Sequence, residues 1–316
     1  MAVPANTIQN VARVGVREDL DNKIAELFPD DTPFMNAIGR SSASNTYTEW
    51  QTDTLTAADH TNAAIQGDDL ANGTRANTVR VGTHTQIFTK VVGASTTVEW
   101  TGKAGRKSEL ARELMKAGRE IRTDQEKRFL GNYASVAAAA GVAGLTAGSQ
   151  AWLTSNVSRG ATGANGGFSA GIVAAATNGT QRAYTETLLK TVLQSIWVSG
   201  GNPKMVFTNG TQKQAEAAFA GLATARREAG NKPMTIVAAA DIYLSDFGPV
   251  QFVPDRFADA RSAVIIDPEY WDIAEGESLT TFDLATTGLA KRKAMRTEVA
   301  LRCLNQAASG VVADLT

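Results

Sequence analysis

The sequence predicts an α+β fold, and three observations carry that prediction. A single long helical stripe occupies residues 103–133. A strand–helix alternation fills residues 141–280. Ahead of both lies a stretch too polar to fold by itself. At 316 residues the chain has room for about two domains and an ample core.

Residues 1–50 read as an extended arm. Glu18 to Phe28 carries a helical pattern that Pro29 ends. Asp31-Thr32-Pro33 is a second helix entry, with Pro in the first turn, where its missing N–H costs nothing. Phe34, Met35, Ala37 and Ile38 give one short apolar turn, and Gly39 is a natural stop. Trp50 stands alone among polar residues. Neither the short helix nor the lone Trp has local cover, so both are expected to lie on another surface.

In residues 51–86 the large apolar side chains are Leu55, Ile65, Leu70, Val79 and Val81, too few to fold alone. Asn72-Gly73 is a turn signal near the middle. The segment reads as a two-stranded ribbon with its tip near 66–74, each leg reaching roughly 50 Å at about 3.3 Å per residue. An isolated ribbon is marginal in water, so a neighbouring subunit is expected to hold it. Residues 87–100 read as a better-buried strand.

The helix over 103–133 follows, with Leu110, Leu114, Ala117, Ile121 and Phe129 on one stripe. Its other face predicts the pairs Glu113/Lys116, Lys116/Glu120, Arg122/Glu126 and Asp124/Arg128. Nine Lys/Arg against five acids between 101 and 133 make it +4 inside a chain of formal charge −1.

Residues 134–180, rich in Ala, Gly, Ser, Thr and Asn, read as surface loops with short strands around 151–157. Thr185 opens a helix with Leu189, Val192, Leu193, Ile196 and Trp197 on one side. Gly200-Gly201 and Pro203 stop it. Lys204 to Thr208 reads as a strand, and Asn209-Gly210-Thr211 turns into a third helix ending at Gly230. Strands follow at 235–238, 242–244, 250–253 and 264–267. The tail, 283–304, reads as a strand returning to the earlier sheet.

Catalytic chemistry finds few residues to use. The histidines, His60 and His84, both fall in the polar ribbon, where the solvated reading is favoured. No H-E-x-x-H, C-x-x-C or G-x-S-x-G spacing occurs. Asp30-Asp31 and Asp68-Asp69 suit a helix entry and a loop tip better than a cation site. The turn at Val206 to Gln214 aims amides at a helix start but lacks the Gly-rich repeat and Lys of a P-loop. The basic helix and the cluster Lys291, Arg292, Lys293 and Arg296 could face nucleic acid or a neighbouring subunit. No aromatic residues interleave to stack on bases. The lone Cys303, between Leu301 and Leu304, excludes an intramolecular disulfide and reads as an inert core thiol. No apolar run approaches the roughly 18 residues of a membrane span, so no membrane partner is expected.

Several segments resemble one family in order. TPFMNAIGR and YTEWQTD lie in the arm. GLTAGSQAWLTSN, NGTQRAYTETLL and the helix ending Trp197-Val198-Ser199-Gly200-Gly201-Asn202-Pro203 lie in the middle. Tyr243 to Gly248, Val253-Pro254-Asp255-Arg256, Ile266-Asp267-Pro268 and Lys291 to Asn305 come later. The chain is similar to the major head (capsid) proteins of tailed phages.

The resemblance implies the Hong Kong 97-type capsid fold: an N-terminal arm at 1–50, an extended ribbon loop at 51–92, a peripheral domain with a long spine helix at 93–140 plus 281–316, and an axial domain at 141–280. It implies a structural subunit that assembles into hexamers and pentamers of an icosahedral head around double-stranded DNA, with no enzymatic activity and no cofactor. The same fold in a nanocompartment shell enclosing cargo enzymes is the alternative, and a cytosolic α/β enzyme is a remote one. Expected intersubunit contacts are Phe34, Met35 and Trp50 of the arm, Asp68, Asp69 and Arg75 of the ribbon, and Arg106, Lys107 and Arg119 of the helix. Expected partners are other copies, a portal, decoration proteins and, by non-specific contact, packaged DNA. With no long segment ahead of the arm, a separate scaffolding protein or unaided assembly is expected, in the host cytoplasm, for a protein that ends in the virion.

Overall fold

A computed structural model describes residues 27–67, 69, 72, 73, 75–102, 105–219, 242–286 and 288–316. Nearly all of the expected first helix, the far end of the third helix, the strand at 235–238 and Asp68 lie outside the described residues.

The long helix, α3 (Glu109–Leu130), starts where the Ser108 hydroxyl accepts the Ala111 amide and ends at Gly131. It is shorter than the predicted 103–133. Leu110, Ala117, Ile121, Phe129 and Leu130 are buried along it. It lies on β4 (Gln86–Ser95), whose Phe88 and Ala94 are buried. Residues 96–100, expected to prolong that strand, instead form α2 (Thr96–Trp100). The cause is local: the Ser95 hydroxyl caps the Val98 amide.

A four-stranded sheet runs β1-β12-β13-β4, with β1 (Gly39–Ser42) parallel to β12 (Trp271–Asp283). The tail strand β13 (Ala290–Cys303) pairs antiparallel with β12 and with β4, as the returning strand was expected to do.

A six-stranded sheet runs β5-β14-β11-β8-β10-β9. Its strands are β5 (Val157–Ser158), β8 (Met205–Thr208), β9 (Ile242–Ser245), β10 (Gly248–Pro254), β11 (Ser262–Ile266) and β14 (Gly310–Ala313). Helix α5 (Glu186–Val198) presents Leu189, Val192, Leu193 and Ile196 to one core, shared with Val206, Phe252, Ala263, Ile265 and Val312. Alternation along the strands sends Phe207, Val264, Ile266 and Val311 to a second core, where they join Phe34, Ile121, Phe129 and Trp271. This sheet is therefore apolar on both faces, and its second face fastens it to α3 and the four-stranded sheet. Strand membership differs from the predicted domain limits at both ends: β12 already begins the four-stranded sheet at Trp271, and β14 lies in the six-stranded one. Helix α6 (Gly210–Glu216) follows β8.

The Ala/Gly-rich region is not all surface loop. Ala147, Ala151, Trp152, Leu153 and Val173 are buried, and a helical turn, α4 (Ser149–Trp152), stands where a strand was expected. Small residues permit close backbone approach here: a Cβ at Gly148 would sit 2.0 Å from the Gly131 carbonyl oxygen.

Candidate assembly surfaces

The arm corrects the first expectation. Helix α1 (Pro33–Ala37) docks on its own chain. Phe34 is 0% exposed and meets Phe207 and Trp271 edge-on, at 5.4 and 6.3 Å between ring centroids. Met35 is buried beside it. Trp50 is half-buried, 5.5 Å from Trp152, and its Nε1 donates to the Leu304 carbonyl at 3.2 Å. Phe34, Met35 and Trp50 thus find their cover in the chain's own core, because the sheet junction leaves an apolar socket that local sequence could not reveal.

The ribbon is shorter as a ladder than predicted. β2 (Tyr47–Thr52) pairs with β3 (Val79–His84) from Tyr47↔His84 to Thr52↔Val79. Beyond Thr52 the described residues up to Thr78 form no strand, and 53–67, 69, 72, 73 and 75–80 are all exposed. They include Leu55 at 98%, Ile65 at 77% and Val79 at 61% exposure. Arg75 and Asp69 are exposed within this stretch. The ribbon base frames an open cleft of about 610 Å³, lined by Tyr47, Glu49, Arg80, His84, Phe168 and Gly171. His84 is half-buried rather than solvated: its ring lies tilted against that of Tyr47, 4.7 Å between centroids, and burial pushes its imidazole below the ordinary value.

The helix cations are largely engaged at home. Arg106 pairs with Glu109, Lys116 with Glu113 at 3.1 Å, and Arg119 with Asp30 at 3.4 Å while lying over the Phe28 ring. Lys90 of β4 takes Asp124 at 2.9 Å and Glu120 at 3.6 Å. Of the four predicted helix pairs, Glu113/Lys116 forms. Asp124 turns to Lys90, Arg128 donates to the Thr146 and Ala134 carbonyls, and Arg122 bonds Thr32 and Asn36. Among the described residues Lys107 is exposed and forms no ion pair, and so are Lys291 and Arg292 near the tip of the β12–β13 hairpin. Lys293 and Arg296 are held by Asp283 and Glu277.

Sequence reasoning missed the role of Glu126, which spacing assigned to a surface pair. It is 0% exposed, and its carboxyl oxygens accept the Phe34 and Met35 amides at 2.6 and 3.0 Å, capping α1 in place of Thr32. Asp255, 3% exposed, lies against it. Burial first, and then Asp255, raise the Glu126 carboxyl to about 9, while the two α1 amides pull the other way. The available signal was its position three and four residues before the buried Phe129 and Leu130.

Nothing in the described residues is arranged for catalysis by a metal: no group of three His, Cys, Asp or Glu side chains could hold an ion. No helix among them is long and apolar enough to cross a membrane. Cys303 is buried, and burial pushes its thiol well above the ordinary range.

The chain is similar to known capsid proteins at two levels. In sequence, the family described as SU10 major capsid protein matches residues 3–316. The major capsid protein of Escherichia phage Phieco32 is 39% identical over 120 residues, spanning 38% of this chain and about a third (34%) of that relative's length. In structure, the capsid asymmetric unit of Cyanophage A-1(L) superposes with a TM-score of 0.67 at 11% identity, over 98% of this chain and 100% of that one. The capsid of Cyanophage P-SCSP1u gives 0.63 at 10% identity, over 99% and 97%. The holo-SrpI encapsulin complex of Synechococcus elongatus PCC 7942 gives 0.58 at 11% identity, over 98% and 96%. At such identities the structural likeness establishes the fold, which is of the Hong Kong 97 type. With that fold beneath a family match over nearly its full length, the chain belongs to the SU10 major capsid protein family, as a structural protein of a phage head rather than an enzyme.

Proposed function

We propose that copies of this chain tile as hexamers and pentamers into an icosahedral shell around double-stranded DNA, each ribbon lying on an adjacent copy. One observation carries the reading: every described residue from 53 to 67 is exposed in the single chain, Leu55 and Ile65 included, so this stretch gains burial only from outside. The segment 53–78 has acids at 53, 59, 68 and 69 against the single base Arg75. It suits a basic surface on the neighbour. Lys107, Lys291 and Arg292 fit that part better than Arg106 and Arg119, whose charges are already matched within the chain. Phe34, Met35 and Trp50 act behind this interface by fixing the base from which arm and ribbon depart.

In this reading the four-stranded sheet with α3 is the peripheral domain, the six-stranded sheet with α5 is the axial domain, and β14 belongs to the latter. Weak contacts from one ribbon and one arm to several neighbours reinforce each other through effective concentration. The virion is the protein's destination, reached from the host cytoplasm. Portal, scaffolding and decoration proteins are further partners, and packaged DNA touches the shell without sequence readout.

Sedimentation and electron microscopy of the purified protein test the proposal. Capsomers or megadalton shells are expected, and the double reversal Asp68→Lys with Asp69→Lys is expected to reduce shell yield. A stable monomer at assembly concentrations refutes the reading. Normal shell yield from the reversed variant refutes the charge pairing alone.

A further inference from the structure

The Glu126–Asp255 contact has an unusual composition. Two buried carboxyls meet where three parts of the chain converge: the N-terminus of α1, the last turns of α3, and the residue following β10. Both Glu126 oxygens already accept backbone amides. Asp255 Oδ1 accepts the Phe257 amide at 2.7 Å, whereas its Oδ2 is buried with no N–H donor. The Asp255 and Glu126 side chains lie against each other as a pair. Two ionised carboxylates cannot share a site closed to water; one proton between them turns repulsion into a hydrogen bond.

We propose that Glu126 and Asp255 share a single proton that clasps α1 onto the spine helix and the axial sheet, and that alkaline loss of this proton unclasps α1.

The charged surroundings favour an alkaline release. Asp31, on the approach to α1, adds negative potential at Asp255. Residues Pro33–Ala37 of α1 carry no charge. On α3, Arg122 is occupied with Thr32 and Asn36, and Lys127 is exposed. Beyond β10, Arg256 is exposed, and Asp259 accepts the Arg261 amide. Hydroxide takes the proton; no covalent bond other than that O–H breaks. The two carboxylates then repel, and the amides of Phe34 and Met35 lose a well-placed acceptor as the pair separates. Acid has no such effect, because a second proton leaves both carboxyls neutral.

The sign follows from linkage. The Glu126 carboxyl is raised to about 9 in the folded chain, above its ordinary 4.5. The clasp's contribution is complete below the ordinary value and declines as pH rises towards 9. This holds for a single chain and does not depend on the assembly reading.

Amide hydrogen exchange on the full-length protein between pH 6 and 10 tests it, with rates corrected for intrinsic base catalysis. In the wild type, protection of Phe34 and Met35 should fall by up to about tenfold per pH unit as pH rises towards the titration of the pair at about 9, and level off above it. The variant Asp255→Asn carries the same net charge as the protonated pair and a fixed N–H donor in place of the proton. It should keep protection independent of pH. Glu126→Gln, the second variant, also removes the titrating proton and should flatten the profile while exposing one α1 amide. Protection that stays constant in the wild type, or that falls in parallel in the wild type and whichever variant folds, overturns the proposal.

Discussion

Replacing Phe34 with Ala tests whether the arm is anchored by its own chain. The side chain is fully buried, with its ring edge-on to Phe207 of the six-stranded sheet and to Trp271 of the four-stranded one. Truncation removes the ring and leaves a cavity at the meeting point of both sheets. Large-to-small changes of this kind cost about 3–5 kcal/mol, the pairwise ring terms of about 0.5–1.5 kcal/mol included. Against a total stability of about 5–15 kcal/mol, that loss is large. Urea unfolding of dilute, unassembled protein should show the midpoint moving down with an unchanged slope, because the exposed area on unfolding hardly differs. Phe34→Leu, which refills part of the space, should recover roughly half of the loss. A loss below about 1 kcal/mol, or one that depends on protein concentration, would mean that the socket is filled by a second copy, and the intrachain docking of α1 would be wrong.

Gly148→Ala should cost about 3 kcal/mol or more, because a Cβ would lie 2.0 Å from one backbone oxygen and 2.9 Å from another; thermal unfolding checks this, and a neutral result would deny the close approach of α4 to the end of α3. Glu216 is buried with one oxygen on the Thr208 hydroxyl at 3.3 Å, and burial raises its carboxyl to about 8. Its contribution is therefore complete below 4.5 and declines as pH rises to about 8, so Glu216→Gln should flatten that part of the stability profile and gain on the order of 3 kcal/mol at pH 7; an unchanged slope counts against burial of the charge. Cys303 should react with a thiol reagent at the rate of unfolding and no faster, because its thiol is buried and shifted away from the thiolate; rapid labelling of native protein would contradict its placement.

The parts of the fold legible in the sequence are those set by local period. The stripe of α3 and, except for the exposed Trp197, the apolar side of α5 follow from spacing, β8 and β10 from short apolar runs, and β13 from apolar residues alternating with charge. Burial that depends on distant chain was not legible. The turn carrying Phe34 and Met35 looked uncovered because its socket is built from Phe207 and Trp271, far along the chain. The region around Trp152 looked like surface loops with a short strand because its composition is small and polar, although smallness is what lets backbones meet there. Glu126 and Arg122 stand at the spacing of a surface ion pair, yet the helix turns the acid inward and leaves the Arg on Thr32 and Asn36. For the assembly surfaces, the exposed ribbon was readable from its poverty in apolar residues. The division of the cations into engaged and open ones was not, since ion pairing depends on tertiary neighbours such as Asp30 and Lys90.

The place of β14 bears on when a copy becomes fit to build with. Of the described strands it is the last to leave the ribosome, yet it sits inside its sheet, hydrogen-bonded to β11 on one side and β5 on the other. Until Gly310–Ala313 emerge, those two neighbours keep open edges, which invite pairing with foreign strands. Once they emerge, Val311 and Val312 fill both cores in a single step. A nascent chain therefore cannot complete this sheet until residues 310–313 have been made.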